Sequence, residues 1–205
     1  MNTKQFEELL LQSLEHELGG VEIYSSALGC VQNGELKQEW QEYLEQTRKH
    51  VTALRDVCGA LGVDADAETP GRLVVRLVGQ ALVAAMNQAL AAGNPTAAEL
   101  VACECVVLAE TKDHADWQLL GKCAEELPGP AALVLKEAYN RIEDEEDEHL
   151  YHTRGWCREL WLTSLGLPAL LPPPEEQQHV KTAMGAARAE QAGEKLRLES
   201  QRASE

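Results

Sequence analysis

The sequence predicts an all-α fold: four long helices in two antiparallel hairpins, joined by a long crossover that carries its own helix. Three observations predict it. Apolar residues recur at helical spacing along nearly the whole chain, and no stretch sustains an alternation of period two. Gly and Pro punctuate only at long intervals, at Asn33-Gly34, Gly62, Gly93-Asn94-Pro95, Pro128-Gly129-Pro130 and Gly166 to Pro168. The four longest segments so bounded have roughly 27 to 35 residues, or about 40–50 Å of helix at 1.5 Å per residue.

Taken in order, the first helix covers residues 3–31 and stops at the Asn33-Gly34 turn. The second, 35–61, carries the stripe Leu36, Trp40, Tyr43, Thr47, His50, Leu54, Val57, Leu61, the repeat of a helix packed along its length. Residues 62–70 are a polar loop, and 71–92 form a strongly apolar crossover helix ended by Gly93-Asn94-Pro95. The fourth helix, 96–127, turns at Pro128-Gly129-Pro130, and the fifth runs over 131–165. Three prolines, 172–174, close the compact unit, so residues 1–171 form the bundle and 172–205 a C-terminal helical arm or tail. That arm has a weak stripe at Val180, Met184 and Ala187, too little apolar surface to fold alone.

Charge excludes several function classes. Against 34 acidic residues the 205-residue chain has only 18 Lys and Arg, a net charge of −16, and aromatics make up 4%. A phosphate backbone or an anionic membrane surface would repel such a chain, so neither nucleic acid nor membrane is the expected partner. A cation is compatible with it. The N-terminus lacks the basic and apolar regions of a signal peptide, and the most apolar stretch, 77–93, is too short to cross a bilayer; the expected location is cytoplasmic. The six cysteines contain no CxxC pair and read as buried thiols.

Several helices place polar residues where a bundle core should be apolar. The second has Thr47 and His50 in its inward stripe. The fourth has Glu110 and His114 within Leu100, Cys103, Val107, Glu110, His114, Trp117. The fifth has Glu146 and His149 within Ile142, Glu146, His149, Thr153, Trp156. On the first helix two stripes compete: Leu11, Glu15, Leu18, Glu22, and Leu10, Leu14, Glu17, Val21, Leu28.

Counting back from each hairpin turn puts these residues in one layer. The antiparallel partner of His50 falls near residue 15, which favours Glu15, with Glu17 and Glu22 as alternatives. The partner of Glu146 falls near 112, between Glu110 and His114. An internal echo at an offset of 99 residues sets Tyr43 on Ile142, Thr47 on Glu146 and His50 on His149.

Buried ionised carboxylates cost several kcal/mol each and repel one another unless something compensates, as a cation does. Carboxylate with imidazole suits iron, and also manganese or zinc. Glu146-x-x-His149 sets both side chains on one helical face, able to reach one metal or bridge a pair. The run of six acidic residues at 143–148 supports this, because like charges at i, i+4 weaken a helix by about 0.2–0.5 kcal/mol each.

Two short-looped hairpins joined by one long crossover, with Glu146-x-x-His149 on the last bundle helix, resemble the ferritin-like di-iron carboxylate superfamily, the group of rubrerythrins and bacterioferritins. The resemblance covers about residues 3–165. It implies a Glu on the first helix, Glu-x-x-His on the second, a Glu on the third bundle helix and Glu-x-x-His on the fourth. Glu15, His50, Glu110, Glu146 and His149 match by position, Thr47 stands where the second helix's Glu belongs, and His114 is an additional candidate.

One or two iron ions, and an oxidoreductase activating oxygen or peroxide, are what the resemblance implies. The alternative is a metal-free helical scaffold whose buried polar layer fixes helix register. In either case the crossover helix or the C-terminal arm is the expected surface for a homo-oligomer.

Overall fold

The computed structural model describes residues 1–170, so the predicted C-terminal arm lies outside the described residues. The fold is all-helical: α1 (Thr3–Cys30), α2 (Gly34–Leu61), α3 (Pro70–Ala91), α4 (Pro95–Glu126) and α5 (Pro130–Ser164). Each boundary has a local cause. The Asn2, Asn33 and Asn94 side chains accept the free backbone N–H groups of α1, α2 and α4, as Thr69 does for α3. Pro70, Pro95 and Pro130 begin α3, α4 and α5, where a missing N–H costs nothing. Gly62 ends α2 in the left-handed region at φ 69°, its N–H returning to the last turn.

Helices α1, α2, α5 and α4 pack in a closed ring, each against the next, while α3 lies lengthwise on the outside of α1 and α4. Contacts fix the directions. Between α1 and α4, Glu17 meets Trp117 while Gln32, just past α1, meets Glu99. Between α2 and α5, Glu39 meets Trp156 and His50 meets Glu145; between α4 and α5, Glu104 meets Trp161 and His114 meets Asp147. A short turn joins α1 to α2, where Glu17 meets His50. Neighbours around the ring therefore run antiparallel. The start of α4 is tied to the α1–α2 turn by Glu99, whose Oε1 accepts the backbone N–H of Gln32 (2.8 Å) and Asn33 (2.6 Å).

Two glycines that interrupt α1 have different neighbours. Gly19 lies against Gly79 of α3, where a Cβ would sit 4.0 Å from the opposing Cα, and Gly20 lies against Thr47 of α2, whose methyl would be 3.1 Å from a Cβ. On both sides of α1 the missing Cβ lets a neighbouring helix come close.

The core falls into two apolar clusters. One is built on Ile23, Tyr24, Leu36, Trp40, Cys103 and Trp156, and the other on Leu10, Leu14, Leu54, Trp117, Leu120 and Ile142. The two clusters are separated by about two turns on α1, α2 and α4 and by about four on α5, and those turns carry buried Glu17, Thr47, His50, Glu110, Asp113, Glu146, His149 and Thr153. The apolar sections hold the bundle together; the section between them is polar on all four helices.

Helix α3 is longer than the 17-residue apolar stretch read from the sequence. It has 22 residues, and its most apolar 18-residue window has a mean hydropathy of 1.4, enough by length and composition alone to cross a membrane. In the fold it packs on α1 and α4, and its two arginines are ion-paired to Glu15 and Glu68.

Candidate metal centre

Four helices converge on the polar layer: Glu17 from α1, His50 from α2, Glu110 and Asp113 from α4, and Glu146 and His149 from α5, all buried. His50 Nδ1 lies 2.9 Å from Glu146 Oε1 and 3.5 Å from Glu17 Oε1. His149 Nδ1 lies 3.6 Å from both Glu110 Oε2 and Glu146 Oε1. The two imidazoles face each other nearly parallel, 5.7 Å apart. The result is two three-residue clusters, Glu17–His50–Glu146 and Glu110–Glu146–His149, each with its donor atoms within 4.8 Å of one another. Glu146 belongs to both.

The outer nitrogens are anchored. His50 Nε2 sits 2.7 Å from Glu145 Oε2, and His149 Nε2 sits 2.8 Å from Gln46 Oε1. Both partners are acceptors, so each Nε2 carries the proton and each Nδ1 of a neutral ring presents a lone pair to the centre. Trp117 Nε1 donates to Glu17 Oε1 at 2.7 Å and fixes that carboxylate.

The inner atoms are not satisfied by hydrogen bonds. Glu17 Oε2, His50 Nδ1, Glu110 Oε2, Asp113 Oδ1 and both oxygens of Glu146 are buried without a hydrogen-bond partner. The 2.9 Å approach of His50 to Glu146 is not aligned as a hydrogen bond. Buried polar atoms left so are rare and costly, about 1–3 kcal/mol each and more when charged. Five of these atoms belong to the two clusters, and unpaired oxygen and imidazole donors brought together between two apolar sections fit a cation of the kind such ligands take.

Electrostatics give the same picture. Burial pushes Glu110 up to about 8 and Glu146 to about 7, in each case against a lowering contact from Tyr24 or His50. Burial also raises Asp113 well above its ordinary range, helped by the charges of Glu146, Glu17 and Glu110. Burial drives His149 down to about 4. For His50 burial is the largest influence and opposes charging, yet the Glu17 charge and contacts to Glu145 and Glu146 together raise it well above 6.5. Without a cation, the centre needs protons to be tolerable.

Of the residues proposed from sequence, His50, Glu110, Glu146 and His149 are brought together here. Glu15 and His114 are not. Glu15 is buried on the opposite side of α1, against the crossover helix: Arg72 Nε donates to its Oε2 (2.6 Å) and Arg76 Nε to its Oε1 (2.5 Å). Those guanidiniums hold its carboxyl below the usual range, the Arg76 contact contributing most. His114 points to the α4–α5 seam, 3.0 Å from Asp147 and 2.9 Å from Gln118. Glu17 stands in the place expected for Glu15, and Asp113 is buried nearby, outside both clusters but under the charges of Glu146, Glu17 and Glu110. Glu17 lies on the second of the two α1 stripes, Leu10-Leu14-Glu17, whose leucines are fully buried. Asp113 falls within the depth bracket that points to residue 112.

Thr47 supplies no carboxylate. Its Oγ1 donates to the Tyr43 carbonyl at 2.8 Å, and its methyl packs against Gly20. Two tyrosines border the centre instead: the Tyr43 ring lies tilted against His149 with centroids 4.2 Å apart and its OH lies 2.9 Å from His152 Nδ1, while Tyr24 approaches His149 edge-on at 6.0 Å. Among the cysteines, burial raises the thiols, Cys105 and Cys157 to about 11. All six are free, and none joins the metal-ligand clusters found among the described residues.

Comparison with protein-family models, with curated proteins and with solved structures finds no match to this chain.

Proposed function

We propose that this chain is a ferritin-like metalloprotein that holds two divalent transition-metal ions, iron first among them, between the two apolar sections of its bundle. The observation that carries this reading is the convergence of unpaired, buried carboxylate and imidazole atoms from four helices. The charge balance favours two ions: four carboxylates (Glu17, Glu110, Asp113, Glu146) are neutralised by two divalent cations, with two neutral imidazoles completing the set. Glu146, which belongs to both clusters, would serve both ions, with His50 and Glu17 available to one and His149 and Glu110 to the other. Thr47 leaves α2 with no carboxylate in the centre, and Asp113 on α4 supplies the fourth one. The centre is thus asymmetric about the bundle axis.

Bound iron in such a site supplies an exchangeable electron for oxygen or peroxide chemistry. The chain's own residues set the conditions for it. Glu145 and Gln46 fix the imidazole orientations, Trp117 fixes Glu17, and the flanking apolar clusters exclude bulk water. The Tyr43–His152 pair offers a proton acceptor at the rim of the centre.

Substituting Glu146→Ala or His149→Ala, one at a time, tests this directly. Each variant is expected to keep its helical circular dichroism and to lose most of its bound metal. Unchanged metal content in both would remove the site as drawn and favour a metal-free scaffold in which the polar layer only sets helix register.

A further inference from the structure

The outward face of α3 carries an apolar strip from Leu73 to Ala85, with Gln80 at its margin and Asn87 and Gln88 making the last turn polar, and nothing among the described residues covers it. Leu73, Val74, Leu77 and Val78 leave 51, 60, 66 and 51% of their surface exposed. Ala81, Ala84 and Ala85 continue the same face. Leu108 of α4, also exposed, borders it next to Val78. From Leu73 to Ala85 the strip is about 20 Å long at 1.5 Å per residue, a contiguous apolar surface of the kind that packs against another surface.

Three features say what covers it. The first is spacing. Val74, Leu77, Ala81, Ala84 and Gln88 follow one another at three, four, three and four residues, the seam spacing of a helix that packs lengthwise on another helix. The second is charge. In a molecule of net charge −16, α3 is the one described helix with no acidic residue, and its only charges, Arg72 and Arg76, are ion-paired with Glu15 and Glu68. Two such strongly acidic molecules can approach closely only where neither presents carboxylates. The third is shape. The first half of the face is bulky (Leu73, Val74, Leu77, Val78) and the second half small (Ala81, Ala84, Ala85).

We infer that α3 is a homodimer interface, in which two copies of this chain pair antiparallel about a twofold axis passing near Ala81. In that arrangement Leu77 and Val78 of each copy lie against Ala85 and Ala84 of the other, large against small, as an isologous contact requires. The metal centre stays inside each bundle, on the far side of α1 from the interface.

The full-length, metal-loaded protein tests this by light scattering after gel filtration. The expected mass is about 45 kDa, twice the chain's 22.5 kDa. Leu77→Glu, at a position exposed in the single chain, is expected to return the monomer mass with unchanged helicity. Mild oxidation of Ala81→Cys is expected to give a covalent dimer, whereas wild type and Ala115→Cys, on the exposed side of α4, do not. A monomeric wild type overturns the inference, whether the face is then found covered by residues 171–205 or bound to lipid vesicles. So does a dimer that persists in Leu77→Glu and fails to cross-link through Ala81→Cys.

Discussion

Glu15 and Glu17 are both buried acidic residues two positions apart on α1, yet they face opposite partners. Glu15 meets the Arg72 and Arg76 guanidiniums, and Glu17 meets His50 and Trp117. Their variants should separate accordingly. Glu15→Ala leaves Arg72 buried without its carboxylate and should cost about 3 kcal/mol of stability, the low end for a broken buried pair because Arg76 remains half-exposed. Its metal content should be unchanged. Glu17→Ala should lose at least one ion per chain, and unfolding curves beside metal analysis of the two variants check the separation.

The residues also predict a pH dependence. Glu110 and Glu146 titrate near 8 and 7 in the folded, metal-free chain and near 4.5 when unfolded, and His50 is raised above its unfolded 6.5. Between pH 6.5 and 8 the folded chain therefore holds protons that the unfolded chain has released, and metal-free stability falls as pH rises. The lowered pKa of His149 acts in the opposite sense, but between about 4 and 6.5. Metal displaces those protons, so the melting temperature should drop across this window with chelator present and stay level with metal bound. Equal slopes in both conditions would contradict the assignment. The choice between Glu15 and Glu17 was not legible in the sequence because α1 packs on α2, α3 and α4 at once, so both of its polar stripes are inward. The arginines that claim Glu15 lie 57 and 61 residues away and leave no local signal.

At the scale of the helix, the sequence was far more informative. Every helix begins at an Asn, Thr or Gly followed by a helix start, and the structural boundaries fall within a residue or two of those read from the sequence. Caps and prolines act locally, which is why they can be read locally. Facing direction is harder on α4, which contacts α1, α3 and α5: a single stripe through Glu110 and His114 describes a helix with one buried face, whereas Asp113 and Asp116 are buried too. Close helix contacts are likewise written in pairs. A Cβ on Gly121 would fall 2.5 Å from the Tyr139 ring of α5. Gly121→Ala should therefore destabilise by about 1–3 kcal/mol through overpacking, more than the roughly 1 kcal/mol alanine gains in helix propensity. A lowered melting temperature is expected; a raised one would mean that Tyr139 swings away freely.

Across the whole molecule, two apolar clusters clamp a layer that would be unfavourable on its own. On the proposed reading, stability and metal binding are coupled: the bundle buries carboxylates and imidazoles together, and a cation there would relieve the repulsion that burying them creates. The layer's existence was visible in the sequence, because hairpin counting sets His50, Glu110, Glu146 and His149 at one depth. Its completion by Glu17 and Asp113 needed the packing of all four helices. The crossover helix closes one side of the bundle through Arg72, Arg76 and Gly79, and turns an uncharged seam outward. The most direct test of the central claim is elemental analysis of the protein purified without a metal-affinity tag from iron- and manganese-replete cells. The account predicts about two transition-metal ions per chain, matching four carboxylates and two imidazoles. Fewer than about one ion per ten chains, with no uptake on reconstitution with ferrous ion, would contradict it.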